Sequence, residues 1–229
     1  MREELCMMTE TDQKQRDAEM NAGIDLPREK GIRPMRLTEA ADAFDSKEYL
    51  FELIRNGIRC VAYLDENETE LRSARNMLLS PLFPELSNLH VAAMKPCVID
   101  GFIVHAEDAW ESIHSRMYTT LPHAIQKAAA IWPAKMVAHD ILYCDGQPMS
   151  HRKFCQRRAI LTDNINDRMN ISISHAIDEL GKAFYMLAEE NGWDGILAKR
   201  KDGLYISGES PVDWLYIPVM RRAAFCPAV

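Results

Sequence analysis

The chain has 229 residues, of which 47% are hydrophobic and 27% charged, a balance typical of one large globular domain or two small ones. Its 27 lysines and arginines against 34 aspartates and glutamates give a formal net charge of −7. The negative net charge argues against a protein that binds nucleic acid over its whole surface, but it is compatible with a local basic patch. The first residues are charged, and no apolar run reaches the roughly 18 residues of a membrane span, so we expect a cytoplasmic protein without membrane segments.

The six cysteines stand far apart, with neither a C-x-x-C pair nor a Cys/His cluster of zinc-ligand spacing. Because the first residues lack a signal-peptide pattern, we expect reduced, mostly buried thiols and no zinc site. The short signatures of Walker, dinucleotide-binding, serine-hydrolase and H-E-x-x-H sites are missing as well. Any functional assignment must therefore come from longer patterns.

The beginning of the chain differs in amino-acid composition from the rest. Residues 1–32 are polar and predict a weakly packed extension, whereas residues 33–229 predict the folded domain. Apolar stretches at 49–54 and 59–64 predict two strands. Asn56-Gly57 between them predicts a hairpin turn, because both residue types tolerate positive φ.

The middle of the chain predicts a mixture of strands and helices. Residues 69–74 predict a third strand, and residues 97–104 predict a strand interrupted by a turn. Helices are expected at 110–117 and 122–131, the second of which is rich in alanine.

The last third of the domain continues this mixture. Residues 135–144 predict a strand, and residues 174–191 predict the best helix of the chain, with Gly192 as its C-terminal cap. The helical period is carried by Ile177, Leu180, Gly181, Phe184, Leu187 and Ala188. Residues 195–199 and 213–219 predict two further strands. Without a regular βαβ alternation, the fold class expected is α+β.

Eight stretches of the sequence, taken in order, resemble the nucleotidyltransferase (adenylation) domain of ATP-dependent DNA ligases, in particular the short bacterial ones. They are residues 31–35, 49–59, 72–76, 82–86, 100–104, 140–146, 194–200 and 213–217. The resemblance implies an ATP-grasp-like fold of two packed antiparallel sheets with flanking helices. It also implies descent from enzymes that use ATP and Mg²⁺ to join DNA in repair or recombination.

The residue at the nucleophile position departs from the family. The family's reaction begins when a lysine amine attacks the α-phosphorus of ATP, giving a lysine–AMP phosphoramidate and pyrophosphate. In the pattern K-x-D-G-x-R that lysine falls on Ile54, and the aspartate falls on Asn56. Because isoleucine carries no nucleophile, the resemblance implies a pseudoenzyme that forms no lysine–AMP.

Three further motifs depart at residues that would touch the nucleotide. Phe102 replaces a glutamate that would contact the ribose, and Asp194 replaces a longer carboxylate but could still help hold a metal ion. Tyr216 and Pro218 replace two cations that would bind the α-phosphate. Losing one such charge-stabilising group typically costs about 10²–10³ in rate.

Other positions keep the residue types of a nucleotide site. By the resemblance, Glu52 contacts the adenine amino group, Arg59 and Arg75 contact sugar and phosphates, and His139 replaces the aromatic ring that stacks on adenine. Lys199 closes the fourth motif. Taken singly, such charged residues are most often solvated surface charges, and Ile54 or Phe102 would be ordinary core residues in an unrelated fold.

A basic cluster offers a possible contact with DNA. It consists of Arg152, Lys153, Arg157 and Arg158, followed by smaller groups at 199–201 and 221–222. Such a cluster is usually a solvated helix face, and nucleic-acid binding is the alternative.

Three hypotheses about function remain open on these residues. The first is a silent ligase-like domain that binds nucleotide or nucleic acid weakly, and the second is a scaffold or regulatory partner of another protein that has lost the nucleotide. The third is an active ligase with a displaced lysine, for which Lys47 and Lys199 are the nearest candidates. Few residues follow the last motif, so we expect no C-terminal OB-fold, the domain that clamps DNA in the family.

Overall fold

A computed structural model describes residues 30–40, 42–54, 56–105, 110–168 and 170–219. Its strands are β1 (Thr38–Glu39), β2 (Ser46–Ile54), β3 (Ile58–Leu64), β4 (Thr69–Ser73), β5 (Cys97–His105), β6 (Ala134–Cys144), β7 (Gln147–Pro148), β8 (Ile171–Ile173), β9 (Ala176–Glu179), β10 (Gly195–Arg200) and β11 (Trp214–Pro218). Its α-helices are α1 (Trp110–Ser115), α2 (Pro122–Ile131), α3 (Phe154–Asn164) and α4 (Gly181–Glu190). Short 3₁₀ turns lie at Ser80–Leu82, Pro84–Leu86, Leu89–Ala92 and Arg116–Tyr118. Most of the expected extension at 1–32 lies outside the described residues.

The strands form two sheets. Sheet A has the order β1-β11-β10-β2-β9, and sheet B has the order β4-β3-β5-β6-β7 with β8 beside β6. Neighbouring strands are antiparallel except for the parallel pairs β1–β11 and β6–β8. The α+β class is confirmed, with these two parallel pairs as additions to the antiparallel sheets that were expected.

Side-chain alternation along the strands builds three apolar layers. In β3, Cys60 and Ala62 point to a core shared with α1 and α3, whereas Val61 and Tyr63 point toward sheet A. The outer face of sheet A packs on α4, where Phe51 of β2 joins its core. The space between the two sheets is therefore enclosed by side chains from both, which is where a site can form.

The expected hairpin at Asn56-Gly57 is wrong. Strands β2 and β3 are consecutive but lie in different sheets, so they do not pair with each other. A Cβ at Gly57 would lie 2.7 Å from the carbonyl oxygen of Ile103. The glycine is needed here for close packing where the chain passes from one sheet to the other.

The expected interruption of the strand at 97–104 is also wrong, because β5 runs without a break from Cys97 to His105. Gly101 lies within the strand, and a Cβ there would lie 2.1 Å from the carbonyl oxygen of Val137. A glycine that looks like a turn signal thus marks the close approach of β6.

The helix expected at 174–191 is shorter than its period suggested. Residues Ala176–Glu179 form β9, which pairs with β2, and the helix begins at Gly181. Its C-terminus is as expected: Gly192 has φ +68° and donates to the carbonyl of Glu189, and Trp193 donates to that of Ala188. These two bonds form a Schellman motif.

The other expected elements agree with the structure within a few residues at their ends. Cys60, Cys97 and Cys144 are buried free thiols, as expected, whereas Cys155 is exposed. Within the described part of the chain, no helix has the length and apolar character needed to cross a membrane.

Candidate functional site

The face of sheet A that looks toward sheet B consists of three rows of side chains across β2, β10 and β11. From the inner row to the outer one they are Leu50, Lys199 and Trp214; Glu52, Leu197 and Tyr216; and Ile54, Gly195 and Pro218. Directly paired residues of an antiparallel sheet point to the same side, so all three rows face the space between the sheets.

The outer row carries no ionisable side chain. Ile54 and Pro218 flank Gly195, and a Cβ at Gly195 would lie 2.7 Å from the Tyr216 ring. The Tyr216 hydroxyl donates to the backbone carbonyl of Asp194 at 3.0 Å. The positions that the resemblance gives to a nucleophile and two cations are therefore occupied by hydrocarbon and by a phenol that is bound to backbone.

The inner rows hold a fully satisfied carboxylate. The Oε2 atom of Glu52 lies 2.6 Å from His139 Nδ1 and 2.9 Å from Lys199 Nζ, and its Oε1 atom lies 3.1 Å from Arg158. Lys199 also donates to the carbonyl of His139 at 3.0 Å and lies 4.1 Å from the centre of the Trp214 ring. We call Glu52, His139, Arg158 and Lys199 the Glu52 cluster.

Charge pairing sets the protonation states of the Glu52 cluster. Burial by itself would raise the pKa of Glu52, but Lys199, His139 and Arg158 together lower it well below its usual range. Burial lowers the pKa of His139 and of Lys199, and the carboxylate of Glu52 offsets this only in part. Near neutral pH, Glu52 is ionised and His139 is neutral.

A second carboxylate between the sheets binds Arg59. Asp100 receives two bonds of 2.6 Å from the Arg59 guanidinium and one of 2.8 Å from the Tyr205 hydroxyl. The guanidinium also lies 4.9 Å from the centre of the Phe102 ring. Arg59, expected to meet sugar and phosphate, is thus held by a bidentate pair within the protein.

Two cations of types that are usually solvated are buried. Arg157 makes a bidentate pair of 2.8 Å with Asp140, and neither side chain is exposed. Lys199 is fully buried as well. The expectation of a solvated helix face is wrong for Arg157, because α3 packs on β6 and brings this side chain to Asp140.

The remaining basic residues form a reduced patch. Arg152 and Lys153 are exposed, but Arg200 pairs with Asp202 and Glu48, and Lys201 pairs with Asp178. The pair at 221–222 lies outside the described residues.

A cleft of about 400 Å³ opens between β5, β6, β8 and the end of β2. Phe102 and Val137 form apolar wall, and His139 stands edge-on to Phe102 with 5.4 Å between ring centres. Lys135, His175 and the hydroxyl-bearing Ser172 and Ser174 are among its polar lining residues. Phe102 replaces the expected ribose-binding glutamate here, so this wall can pack on a flat ring.

Of the expected nucleotide- and metal-binding residues that the structure describes, only His139 lines this cleft. Arg75 is exposed in the turn after β4 and does not line the cleft. Asp194 precedes β10, and its backbone carbonyl accepts from Tyr216 and from the amide of Val219. Among the described residues, no three His, Cys, Asp or Glu side chains are grouped to hold a metal ion.

Sequence reasoning did not identify two residues that the fold brings to the site. Arg158 was singled out only as part of a basic cluster, yet it completes the Glu52 cluster. Lys135 carried no motif, yet it lines the cleft. Only the packing of α3 and β6 against sheet A reveals both positions.

Comparison with known proteins gives a consistent result. The model of the ATP-dependent DNA ligase domain family matches residues 33–217. A prophage-derived DNA ligase-like protein LigB of Bacillus subtilis is 24% identical over 197 residues, which cover 81% of the chain and 67% of that protein. DNA ligase C1 of Mycolicibacterium smegmatis is 26% identical over 197 residues, 81% of the chain and 56% of that protein. The chain thus spans between about half and two thirds of these two relatives.

Solved structures share the fold. A mycobacterial DNA ligase D complexed with ATP superimposes with a TM-score of 0.67 at 22% identity, covering 85% of the chain and 62% of that structure. A Chlorella virus DNA ligase-adenylate gives a TM-score of 0.55 at 16% identity, covering 82% of the chain and 67% of that structure.

Proposed function

The chain belongs to the ATP-dependent DNA ligase domain family, and from that premise we propose that it is a degenerate adenylation domain that forms no lysine–AMP intermediate. One observation carries the proposal: the outer row of sheet A is Ile54, Gly195 and Pro218. Adenylation needs an amine lone pair held in line with the α-phosphorus. A row of hydrocarbon supplies neither the amine nor the charge that would position the phosphate.

The two displaced-lysine candidates do not replace the missing amine. Lys199 is fully buried with its ammonium bound to Glu52, so it could attack only after this pair had been broken inside the protein. Lys47 is exposed near the opposite end of β2, about 23 Å along the strand from Ile54 at ~3.3 Å per residue. These placements favour a silent domain over a relocated nucleophile.

We propose that nucleotide binding persists as a weak interaction in which the ring of the base takes part. Glu52 and Arg59 form hydrogen bonds with partners within the protein. Few of their acceptors and donors are therefore left for an adenine amino group or a triphosphate. The cleft beside Phe102 and His139 still offers aromatic side chains to a base. The residues present therefore fit a base and do not fit ATP with Mg²⁺.

A scaffold that has lost the nucleotide altogether is the second candidate. The observation that favours it is the same pairing of Glu52 and Arg59, because buried charges that are paired within the protein need no ligand for stability. Thermal shifts with nucleotides separate the two candidates, since only a ligand that binds the native state raises its melting temperature.

From membership of the family we also propose that the protein acts in DNA repair or recombination in the cytoplasm. In this proposal residues 33–229 form the folded unit, and DNA is its partner. Support among the described residues comes from Arg152 and Lys153, which are exposed immediately before α3. We therefore expect weak contact with DNA that is lost as salt rises.

Intact mass spectrometry after incubation with ATP and either Mg²⁺ or Mn²⁺ tests the proposal, with an active ligase as control. An unchanged mass supports a silent domain. A covalent AMP adduct mapped to a lysine overturns it and makes nick-sealing assays the next step.

A further inference from the structure

The polar wall of the cleft carries groups that no protein atom satisfies. Among the described residues, the Lys135 ammonium, the Ser172 hydroxyl and the His175 ring have no hydrogen-bond or ion-pair partner, although all three residues line the cleft. This differs from the Glu52 cluster, where each charge has a partner within the protein. A few convergent polar groups beside an apolar wall are typical of a ligand site.

Some of these polar groups share one side of the cleft with the apolar wall. Lys135, Val137 and His139 line the cleft from one face of β6, and Ser172 of β8 is in register with Val137. Four residues of strand span about 13 Å, so the backbone positions of Lys135 and His139 mark the two ends of an elongated site. Phe102 of β5 is paired with Val137, and its ring centre lies 5.4 Å from that of His139.

The charge of the lining limits the charge of the ligand. Lys135 is the one lysine or arginine among the described lining residues, and Asp167, which is exposed at the rim, is the one carboxylate. A single anionic group can pair with Lys135. A triphosphate would bring more negative charge toward Asp167 without meeting another lysine or arginine of the lining.

We propose that the cleft binds a nucleoside monophosphate, with its base against Phe102 and His139 and its phosphate at Lys135 and Ser172. The inference rests on the proposed function insofar as the ring is taken to be a nucleobase. The phosphate lies on β6 and β8, away from Ile54, Tyr216 and Pro218. The site therefore holds a nucleotide without bringing its phosphorus to the nucleophile position.

The test compares AMP with adenosine by isothermal titration calorimetry at fixed ionic strength and without divalent cations. The wild type should bind AMP about 10-fold tighter than adenosine, the contribution of one charge-assisted contact. K135Q should abolish that difference while leaving adenosine binding unchanged. K127Q removes an exposed lysine of α2 that does not line the cleft, and it should behave as the wild type.

S172A serves as an independent second variant and should weaken AMP binding without affecting adenosine. The proposal is overturned if the wild type binds AMP and adenosine equally, if it binds neither, or if K135Q keeps the preference. Tighter binding of ATP than of AMP also overturns it. An unchanged mass with ATP together with any of these results leaves the silent-domain proposal standing and removes only the monophosphate site.

Discussion

Glu52 and Lys199 lie on neighbouring strands of sheet A, with 2.9 Å between Oε2 and Nζ, and neither side chain is exposed. Burying two charges is costly, and the pair is tolerated because His139 and Arg158 complete the hydrogen bonds of the carboxylate. By the resemblance to the family, Glu52 would contact the adenine amino group of a bound nucleotide. Here it serves the stability of the fold.

Replacing the carboxylate should therefore destabilise the chain strongly. We expect E52Q to lower the free energy of unfolding by about 3–5 kcal/mol, because Lys199 stays buried without a counter-charge. E48Q removes an exposed carboxylate that lies 3.8 Å from Arg200, and it should cost less than about 1 kcal/mol. Urea titration of both variants measures the two effects, and equal losses would contradict the role given to Glu52.

Stability should fall in mild acid through His139. Burial lowers the pKa of this imidazole in the folded chain, so the unfolded chain takes up the proton first. The resulting stability is complete above the ordinary histidine pKa and is lost as the pH falls, with a slope of at most about 1.4 kcal/mol per pH unit. The lowered pKa of Glu52 has the same sign and acts in stronger acid.

Unfolding titrations between about pH 7.5 and 5.5 check this expectation, because that window brackets the ordinary histidine pKa. H139F keeps an aromatic ring and removes the titrating group, so its free energy of unfolding should depend less on pH than that of the wild type. Identical slopes would show that His139 does not carry the effect.

Restoring the lysine alone should not restore adenylation. In I54K the new amine would extend from the outer row, but Phe102, Tyr216 and Pro218 would still offer no contact to ribose or phosphate. We expect no AMP adduct by intact mass spectrometry, whereas the variant I54K/F102E/Y216K/P218K supplies the comparison. An adduct on the single variant would mean that the other three departures matter little.

The close approach of β5 and β6 gives a test of the fold itself. G101A would place a Cβ 2.1 Å from the carbonyl oxygen of Val137, and we expect a loss of about 3 kcal/mol or more. In G31A the nearest atom lies at 3.7 Å, so this variant should be close to neutral. Thermal unfolding of the pair separates a packing effect from a general cost of replacing glycine.

Local patterns of the sequence predicted most strands and helices but not their partners. Alternation located β3 and β6 correctly, yet Asn56-Gly57 was interpreted as a hairpin because nothing local shows that β2 and β3 enter different sheets. Residues Ala176–Glu179 fit a helical period, and β2 draws them into sheet A instead. Pairing across the fold overrides local preference at both places.

The sequence predicted which positions form the site better than it predicted the surroundings of each side chain. The resemblance placed Ile54, Tyr216 and Pro218 at positions that the structure shows on one face of sheet A. It could not show that Lys199 and Arg157 are buried, because burial depends on carboxylates far away in the chain. A lysine without a motif, such as Lys135, becomes notable only when its neighbours in space are known.

The division of the strands between the sheets has a consequence for synthesis on the ribosome. Sheet B uses one continuous part of the chain, from β3 to β8, whereas sheet A joins β1 and β2 to strands made only after β8. The partner strands of β2, which are β9 and β10, are synthesised after all the strands of sheet B. We therefore expect sheet B to form while β2 is still unpaired. We accordingly expect Glu52 to meet Lys199 only after much of sheet B has formed.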